Sequence, residues 1–196
     1  LDAVNILAEI EEFTGINLDI HHLIAAPTIA EMAALIKKRG TPSRWEYLVA
    51  VQTGGSKKPF LCVHPLSGHV FHFCGLRPYW KPDRPFFGIQ AQGFNRKSQP
   101  LDRIEDMAAA YLKEVLALQP EGPYFLGGRC FGSMVAFEMA HQLIKKGETV
   151  AALAAIEGTS PVRISRPSNT LPETVNSSDI LEIFNNHGTH FYMQIL

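Results

Sequence analysis

The chain has 196 residues, which is enough for one mid-sized domain or two small ones. Hydrophobic residues make up 46% of it and charged residues 19%, a composition typical of a protein with a packed core and not of a disordered chain. The formal net charge of −1 gives no reason to expect a nucleic acid or an anionic membrane as a partner. No apolar stretch is long enough to span a bilayer. The three cysteines have no disulfide-framework spacing, which favours a reducing compartment, the cytoplasm.

Residues 1–40 are predicted to be helical. A first helix, ended by Gly15, carries an apolar stripe formed by Leu1, Val4, Leu7, Ile10 and Phe13. A later helix is predicted to begin after Thr28, because Thr28 and Glu31 have the spacing of a capping box. Forty residues with so few large apolar groups cannot form an independent core, so this segment is predicted to be an incomplete unit.

Residues 41–58 are predicted to be a linker that leads into a first strand at 47–52. Beyond this linker, strands and helices alternate. The predicted strands are 60–64, 86–90, 124–126 and 150–156. The predicted helices are 69–79, 104–118, 131–146 and, after a polar stretch, 180–184. Such alternation predicts an α/β fold, a parallel sheet with helices on both faces.

The strongest functional pattern lies between the predicted strand that ends at 126 and the following helix. Gly128, Cys130 and Gly132 have the spacing of a nucleophile elbow, with Cys where Ser is usual, and side chains at the two glycines would collide with the strand and the helix. The positive end of the helix favours negative charge at Cys130, and the backbone N–H of Phe131 can supply half of an oxyanion hole. An isolated cysteine is more often a small, inert buried residue. The strand–turn–helix setting favours the nucleophile here.

The loop after the predicted strand 60–64 is the second candidate. In α/β-hydrolases this loop supplies the other oxyanion N–H, here from Leu66 or Ser67, and Gly68 lets the backbone come close. The alternative is an ordinary turn. A metal site is a further alternative for four potential ligands: His64, His69, His72 and Cys74. No carboxylate joins this group, so no metal is predicted.

Glu157 directly follows the predicted strand 150–156. Sites gather at the carboxyl ends of parallel strands, and a triad in such a fold runs nucleophile, acid and then His along the chain. Glu157 is therefore the candidate acid, and a solvated loop carboxylate is the alternative. The histidines that follow, His187 and His190, lie after a polar loop and neither is a convincing base. The catalytic His is unknown and is expected beyond residue 196.

Further motifs accompany the elbow: 59–65, 87–93, 107–111, 119–124 and Phe137-Glu138-Met139-Ala140. With these motifs, residues 59–161 resemble the thioesterase domain, an α/β-hydrolase, that ends nonribosomal peptide and polyketide synthetases. The resemblance implies a domain over 59–196, truncated in its lid, of which 176–196 would be the start. It also implies catalytic and oxyanion positions at four residues: Cys130 as nucleophile, Glu157 in place of the usual Asp, and Leu66 and Phe131 in the oxyanion hole.

Residues 1–40, with the motif Ala26-Pro27-Thr28-Ile29, are similar to the C-terminal half of a phosphopantetheine carrier domain, an all-α bundle, over its helices II–IV. In that family the serine that bears phosphopantetheine directly precedes the Leu matching Leu1. The resemblance therefore implies no cofactor bound by this chain itself.

The function implied by the resemblance is a thioesterase that releases an acyl or peptidyl chain from a carrier-bound phosphopantetheine thioester, by hydrolysis or cyclisation. Its expected partners are that thioester and the upstream synthetase domains, with activity absent or weak in this chain alone. A non-catalytic module that docks carrier domains and an editing thioesterase remain as alternatives.

Overall fold

The computed structural model describes residues 2–16, 18, 20–38, 44–94, 98–157 and 191–194. The helices are α1 (Asp2–Thr14), α2 (Ile20–Ala25), α3 (Ile29–Lys37), α4 (Ile104–Leu118) and α5 (Phe131–Lys145), with a 3₁₀ helix at Phe71–Tyr79. The strands are β1 (Leu48–Gln52), β2 (Phe60–Val63), β3 (Phe86–Ile89), β4 (Tyr124–Arg129), β5 (Val150–Ile156) and β6 (Phe191–Gln194). None of the helices in these ranges is both long and apolar enough to cross a membrane. The helix predicted at 180–184 lies outside the described residues.

The first three helices confirm the predicted capping box, and they confirm the predicted stripe at Leu7 and Ile10 but not at Phe13. The Thr28 hydroxyl accepts the N–H of Glu31 at 3.3 Å, and the Thr28 N–H donates to the Glu31 carboxylate at 3.1 Å. Leu7 is buried in a small cluster, whereas Phe13 is 92% exposed. The prediction for Phe13 was wrong because a spacing of three residues turns back by about 60° at each step around an α-helix. A stripe with that spacing winds away from the buried face.

The strands form one six-stranded sheet with the order β1-β3-β2-β4-β5-β6. The four central strands, β3, β2, β4 and β5, are parallel, as the alternation of strands and helices predicted. The two edge strands, β1 and β6, run antiparallel to their neighbours. The four residues of β6 lie within 176–196, where the resemblance implied the start of a lid, and they extend the sheet along β5. Residues 176–190 of that segment lie outside the described residues.

Two apolar cores cover the two faces of the sheet, and β2 shows how one strand serves both. Phe60 and Cys62 belong to the core that contains residues of the 3₁₀ helix, while Leu61 and Val63 belong to the core shared with α4 and α5. Successive strand residues point to opposite faces, so a strand buried on both faces is apolar at every position. All four β2 residues are fully buried. This double burial fixes the carboxyl end of β2, where a candidate loop begins.

Glu114 on α4 fixes the start of β1. Its carboxylate accepts the backbone N–H groups of Glu46, Tyr47 and Leu48, at 2.6, 2.9 and 2.9 Å. Hydrogen bonds to an ionised acceptor are roughly twice as strong as neutral ones, so one side chain ties the edge strand to the helix layer.

Two element bounds differ from the sequence prediction for reasons of local chemistry. The helix predicted at 69–79 is a 3₁₀ helix, which fits a segment that contains Gly75 and Pro78, since neither residue supports a regular α-helix. The strand predicted to end at 126 continues to Arg129, because Gly127 and Gly128 pair with β5 despite their low strand propensity. The longer strand carries the chain directly into the elbow.

Candidate active site

Cys130 lies in the sharp turn between β4 and α5, with a φ of 51° and a ψ of −118°. A residue other than glycine held in such a conformation costs on the order of 1–3 kcal/mol, and this kind of strain concentrates at functional sites. The Cys130 N–H donates to the carbonyl oxygen of Ile156 on β5 at 2.7 Å, which holds the turn against the neighbouring strand. The Cys130 side chain is exposed. The turn therefore presents a thiol to solvent at the carboxyl edge of the sheet.

The glycines on either side of Cys130 are required by close packing. A Cβ atom at Gly128 would overlap the carbonyl of Gly132, and a Cβ atom at Gly132 would overlap the carbonyls of Val63 and His64. The glycines thus let the start of α5 pack directly on the chain that leaves β2. The sequence predicted that side chains at these two glycines would collide with the strand and the helix. In the structure, the atoms they would meet belong to the start of α5 and to the chain at the end of β2.

The loop after β2 and the start of α5 carry the two predicted oxyanion positions, and both lie at the same end of the sheet. Gly68, with a φ of 79°, donates its N–H to the carbonyl of Pro65 at 2.9 Å and closes a tight turn. Leu66 is at the tip of this turn and is 78% exposed. Phe131 is the first residue of α5, a position whose N–H has no acceptor within the helix. The Phe131 ring lies 6.3 Å from that of His64, measured between ring centroids, so the loop and the helix start are neighbours.

His64 is buried, and each of its two ring nitrogens has a partner other than Cys130. Its Nδ1 lies 2.7 Å from the carbonyl of Pro65, and its Nε2 lies 3.0 Å from the hydroxyl of Tyr111 on α4. The residue is 3% exposed, and burial lowers the pKa of its imidazole, which keeps the ring neutral near pH 7. With both nitrogens engaged, His64 fixes the loop to α4.

Glu157 is the first residue after β5, and it pairs with Arg129, the last residue of β4. Both Nε and Nη2 of Arg129 lie 2.7 Å from Oε2 of Glu157. Glu157 has a φ of 51°, and it and Cys130 are the two residues other than glycine with positive φ in the described part of the chain. Backbone strain thus marks the two residues that the sequence proposed as nucleophile and acid.

Arg129 had no predicted role. Its position follows from the register of β4 and β5, in which Arg129 is opposite Ile156, so its side chain reaches the residue after Ile156. That register includes an irregularity between Tyr124 and Phe125, which no sequence pattern indicated. The only available signal was that Arg129 occupies the variable position just before the nucleophile.

His69 and His72 stack on each other, and His72 responds to the charges of this ion pair. Their ring centroids are 4.5 Å apart with planes inclined by 15°. The pKa of His72 is lowered by burial and by the Arg129 cation, against a smaller opposing effect of the Glu157 anion. Burial and the neighbouring His72 lower the pKa of His69 as well. Within the described ranges, no group of three or more His, Cys, Asp or Glu residues is arranged to hold a metal ion.

His187 and His190 lie outside the described residues, as does the whole segment 158–190. The prediction that the base lies beyond residue 196 therefore stays a prediction.

Comparison with protein families gives the class of the domain. Residues 58–189, about two thirds of the chain, match the model of a family described as the thioesterase domain. The chain belongs to the thioesterase domain family. Thioesterases are hydrolases that act on thioester bonds, and the elbow lies well inside the matched range.

Relatives of this thioesterase domain are large synthetases. It is 34% identical over 164 residues to malpibaldin synthetase of Mortierella alpina, an alignment that covers 83% of this chain and 3% of the relative. It is 36% identical over 155 residues to a dimodular nonribosomal peptide synthase of Bacillus subtilis, covering 79% of this chain and 6% of that protein. The chain thus spans only a few per cent of the length of these relatives.

Solved structures of related proteins have the same fold. A four-domain nonribosomal peptide synthetase, solved in its holo form, superposes with a TM-score of 0.57 at 26% identity, covering 84% of this chain and 12% of that one. The NocB thioesterase domain from the nocardicin cluster superposes with a TM-score of 0.54 at 30% identity, covering 58% of this chain and 51% of that one. The predicted α/β-hydrolase sheet is therefore confirmed.

Proposed function

We propose that this thioesterase domain releases an acyl or peptidyl chain from a carrier-bound phosphopantetheine thioester through an acyl-enzyme on Cys130. The observation that carries the proposal is the backbone of Cys130, which is strained, tied to β5 and followed at once by the N-terminus of α5. Such strain persists only where the surrounding structure holds it, and here it exposes a thiol at the edge where α/β folds place their sites.

Acyl transfer to Cys130 exchanges one thioester for another. The Cys130 sulfur attacks the carbonyl carbon, a new C–S bond forms, and the C–S bond to the pantetheine arm breaks. The arm leaves as a thiol, carrying the proton that Cys130 gave up. During the step, negative charge on the carbonyl oxygen is stabilised by the N–H groups of Leu66 and Phe131, which form the proposed oxyanion hole. Because a thioester replaces a thioester, this loading step is nearly balanced in free energy.

Release of the acyl group restores the thiol. Water attacks the Cys130 thioester in hydrolysis, and a hydroxyl or amine of the bound chain attacks it in cyclisation. In both routes the carbonyl carbon loses the sulfur, and Cys130 regains a proton. A histidine beyond residue 196 would remove the proton from the attacking group, and Glu157 would orient that histidine, as the acid does in other triads.

We propose that the reaction takes place in a multidomain synthetase. The relatives' names describe synthetases, and we infer that residues 1–40 are the C-terminal half of a carrier domain whose phosphopantetheine is on a serine just before Leu1. The carrier and the thioesterase domain would then be covalently joined, with the upstream synthetase domains as partners. The three cysteines are free, which agrees with a reducing cytoplasm.

A non-catalytic carrier-docking module is the second candidate, and one observation favours it. Oε2 of Glu157 is already engaged by Arg129 at 2.7 Å, so only Oε1 is left for a histidine. In that case Cys130 would never carry an acyl group, and the domain would only bind carriers.

The test is the release of pantetheine from acyl-pantetheine thioesters by this chain, with the released pantetheine separated from the protein after an acid quench and quantified by chromatography. The proposed function predicts a burst of about one equivalent per chain and then almost no turnover, because we propose that the base lies beyond residue 196. In a chain extended through the next histidine, turnover becomes continuous, and Cys130→Ala abolishes both phases. Cys74→Ala, a change outside the site, is the matched control and keeps the burst. A burst that survives Cys130→Ala would refute the assignment, and robust turnover by residues 1–196 would make His187 and His190 the first candidates for the base.

A further inference from the structure

The ion pair between Arg129 and Glu157 uses only one of the two carboxylate oxygens. Nε and Nη2 of Arg129 both lie 2.7 Å from Oε2, and no hydrogen bond of Oε1 to another described residue accompanies them. A carboxylate that orients an imidazole needs one oxygen directed at the ring nitrogen. The ion pair therefore holds the Glu157 carboxylate through Oε2 and, among the described residues, leaves Oε1 for the imidazole that a triad requires.

The backbone on both sides of this pair is fixed. Arg129 is the last residue of β4 and Glu157 the first after β5, and the hydrogen bond from Cys130 N–H to the Ile156 carbonyl joins the two strand ends between them. Glu157 itself has the positive φ that turns its side chain off the end of the strand. Arg129 and Cys130 are consecutive, so the guanidinium that holds the acid is anchored one residue from the nucleophile.

A glutamate in this role needs such a restraint more than an aspartate does. Its side chain has one more methylene and one more rotatable bond, so its carboxylate samples more positions unless a partner holds it. Arg129 supplies a planar fork with permanent charge, which fixes the position of its partner. The Glu157 side chain is 42% exposed, so packing alone does not hold it.

From these observations we propose that Arg129 is a positioning residue that holds Glu157 in the orientation needed to align the catalytic histidine. The proposal rests on the proposed function, since it acts through the triad acid. It assigns a role to the variable position of the elbow, immediately before the nucleophile.

The experiment measures kcat and KM for acyl-pantetheine hydrolysis in the full-length protein that carries this chain and the base histidine. Arg129→Met should lower kcat by about tenfold or more with KM changed less than about twofold, because the acid acts on the chemical step and not on binding. Arg129→Lys keeps the charge and loses the fork, and it should recover part of the loss. Arg103→Met is the control, since Arg103 pairs with Glu105 and Asp106 at the start of α4, away from the elbow, and it should leave kcat unchanged.

The double variant Arg129→Met/Glu157→Gln separates positioning from a general structural effect. If Arg129 acts through Glu157, the double variant is no slower than Glu157→Gln alone, because the two changes remove the same contribution. Three results would overturn the proposal. The first is a double variant whose kcat falls by the product of the two single losses, and the second is an unchanged kcat in Arg129→Met. The third is a higher kcat in Arg129→Met, which would mean that the ion pair inhibits the enzyme.

Mass mapping of acyl-Cys130 is done in parallel on residues 1–196, which are proposed to lack the base, so that the acyl-enzyme accumulates. If Cys130 is acylated there but Arg129→Met has no effect on kcat, only this inference is refuted. If Cys130 is not acylated, the proposed function is refuted and this inference with it.

Discussion

Cys130 and Glu157 share a φ of 51°, which residues other than glycine rarely adopt. Each of them is held by a partner from the neighbouring strand end: Cys130 by the carbonyl of Ile156, and Glu157 by the guanidinium of Arg129. Since both conformations cost free energy, these contacts explain how the turn and the strand end persist. The strain at Glu157 is a reason, independent of the sequence motif, to regard it as more than a loop acid.

The three cysteines should differ in their rate of alkylation. Cys130 is exposed, Cys74 is half-buried and Cys62 is buried. Burial raises the pKa of the Cys74 and Cys62 thiols, the latter strongly, so both are poor nucleophiles near pH 7. Iodoacetamide followed by mass mapping should show Cys130 modified first and Cys62 last. If Cys130 were the slowest of the three, the nucleophile assignment would be wrong.

Replacing Glu157 tests its proposed role as the triad acid. In the chain extended through the base, Glu157→Gln should leave the fold intact and reduce turnover on the order of 10³-fold or more, as in other triads. Glu157→Asp should retain part of the activity, because the carboxylate remains although it is shorter by one methylene. Activity of Glu157→Gln within a few-fold of the parent would mean that another carboxylate orients the base. Circular dichroism of each variant controls for folding.

His72 provides a reporter of the charges beside the elbow. Burial and the Arg129 cation lower the pKa of His72, and the Glu157 anion raises it by less. Removing the cation in Arg129→Met should therefore raise this pKa, and removing the anion in Glu157→Gln should lower it further. A proton NMR titration of the imidazole measures both shifts, with Arg103→Met as a control that changes neither. If the pKa of His72 were the same in all variants, the Arg129–Glu157 ion pair would not lie near His72.

At the scale of elements, the start of the edge strand β1 is bound by a single helical side chain, that of Glu114. The three N–H groups that Glu114 accepts would be left without their charged acceptor in Glu114→Gln, which keeps the shape of the side chain. We expect a loss of about 1–3 kcal/mol in the free energy of unfolding, measured by urea denaturation. Lys113→Ala, at the neighbouring exposed position of α4, is the control and should change stability by less than about 0.5 kcal/mol. Equal effects of the two substitutions would show that the hydrogen bonds contribute little.

Elements with a strong pattern were predicted closely, and elements shaped by tertiary contacts were not. The bounds of α4 and β5 agree with the prediction because each combines a clear apolar pattern with clear ends. The last three residues of β4 were missed because Gly127 and Gly128 are poor strand formers. Only the contacts with β5 and α5 explain why glycines occupy these positions. For the same reason, the sequence predicted the elbow, whose spacing is local, and missed Arg129, whose partner depends on the register of two strands.

At the scale of the whole molecule, the sheet brings together groups that are far apart in the chain. The loop after β2, the turn after β4 and the end of β5 are adjacent because β2, β4 and β5 are parallel neighbours. The alternation of strands and helices predicted the parallel strands. It did not predict their order, because pairing between strands separated by a helix is decided by non-local packing. The antiparallel edge strands were likewise outside what a local pattern specifies.

The central claim is that Cys130 carries the acyl group during release, and mass spectrometry of the protein itself tests it most directly. Residues 1–196 are incubated with an acyl-pantetheine thioester, quenched in acid and digested, and the acylated peptide is sequenced. Because the chain is proposed to lack the base that completes release, the acyl-enzyme should accumulate. We expect one acyl group per chain, located on Cys130 and absent from Cys130→Ala. An acyl group found on another residue, or none on Cys130 under conditions in which the thioester is consumed, would contradict the account.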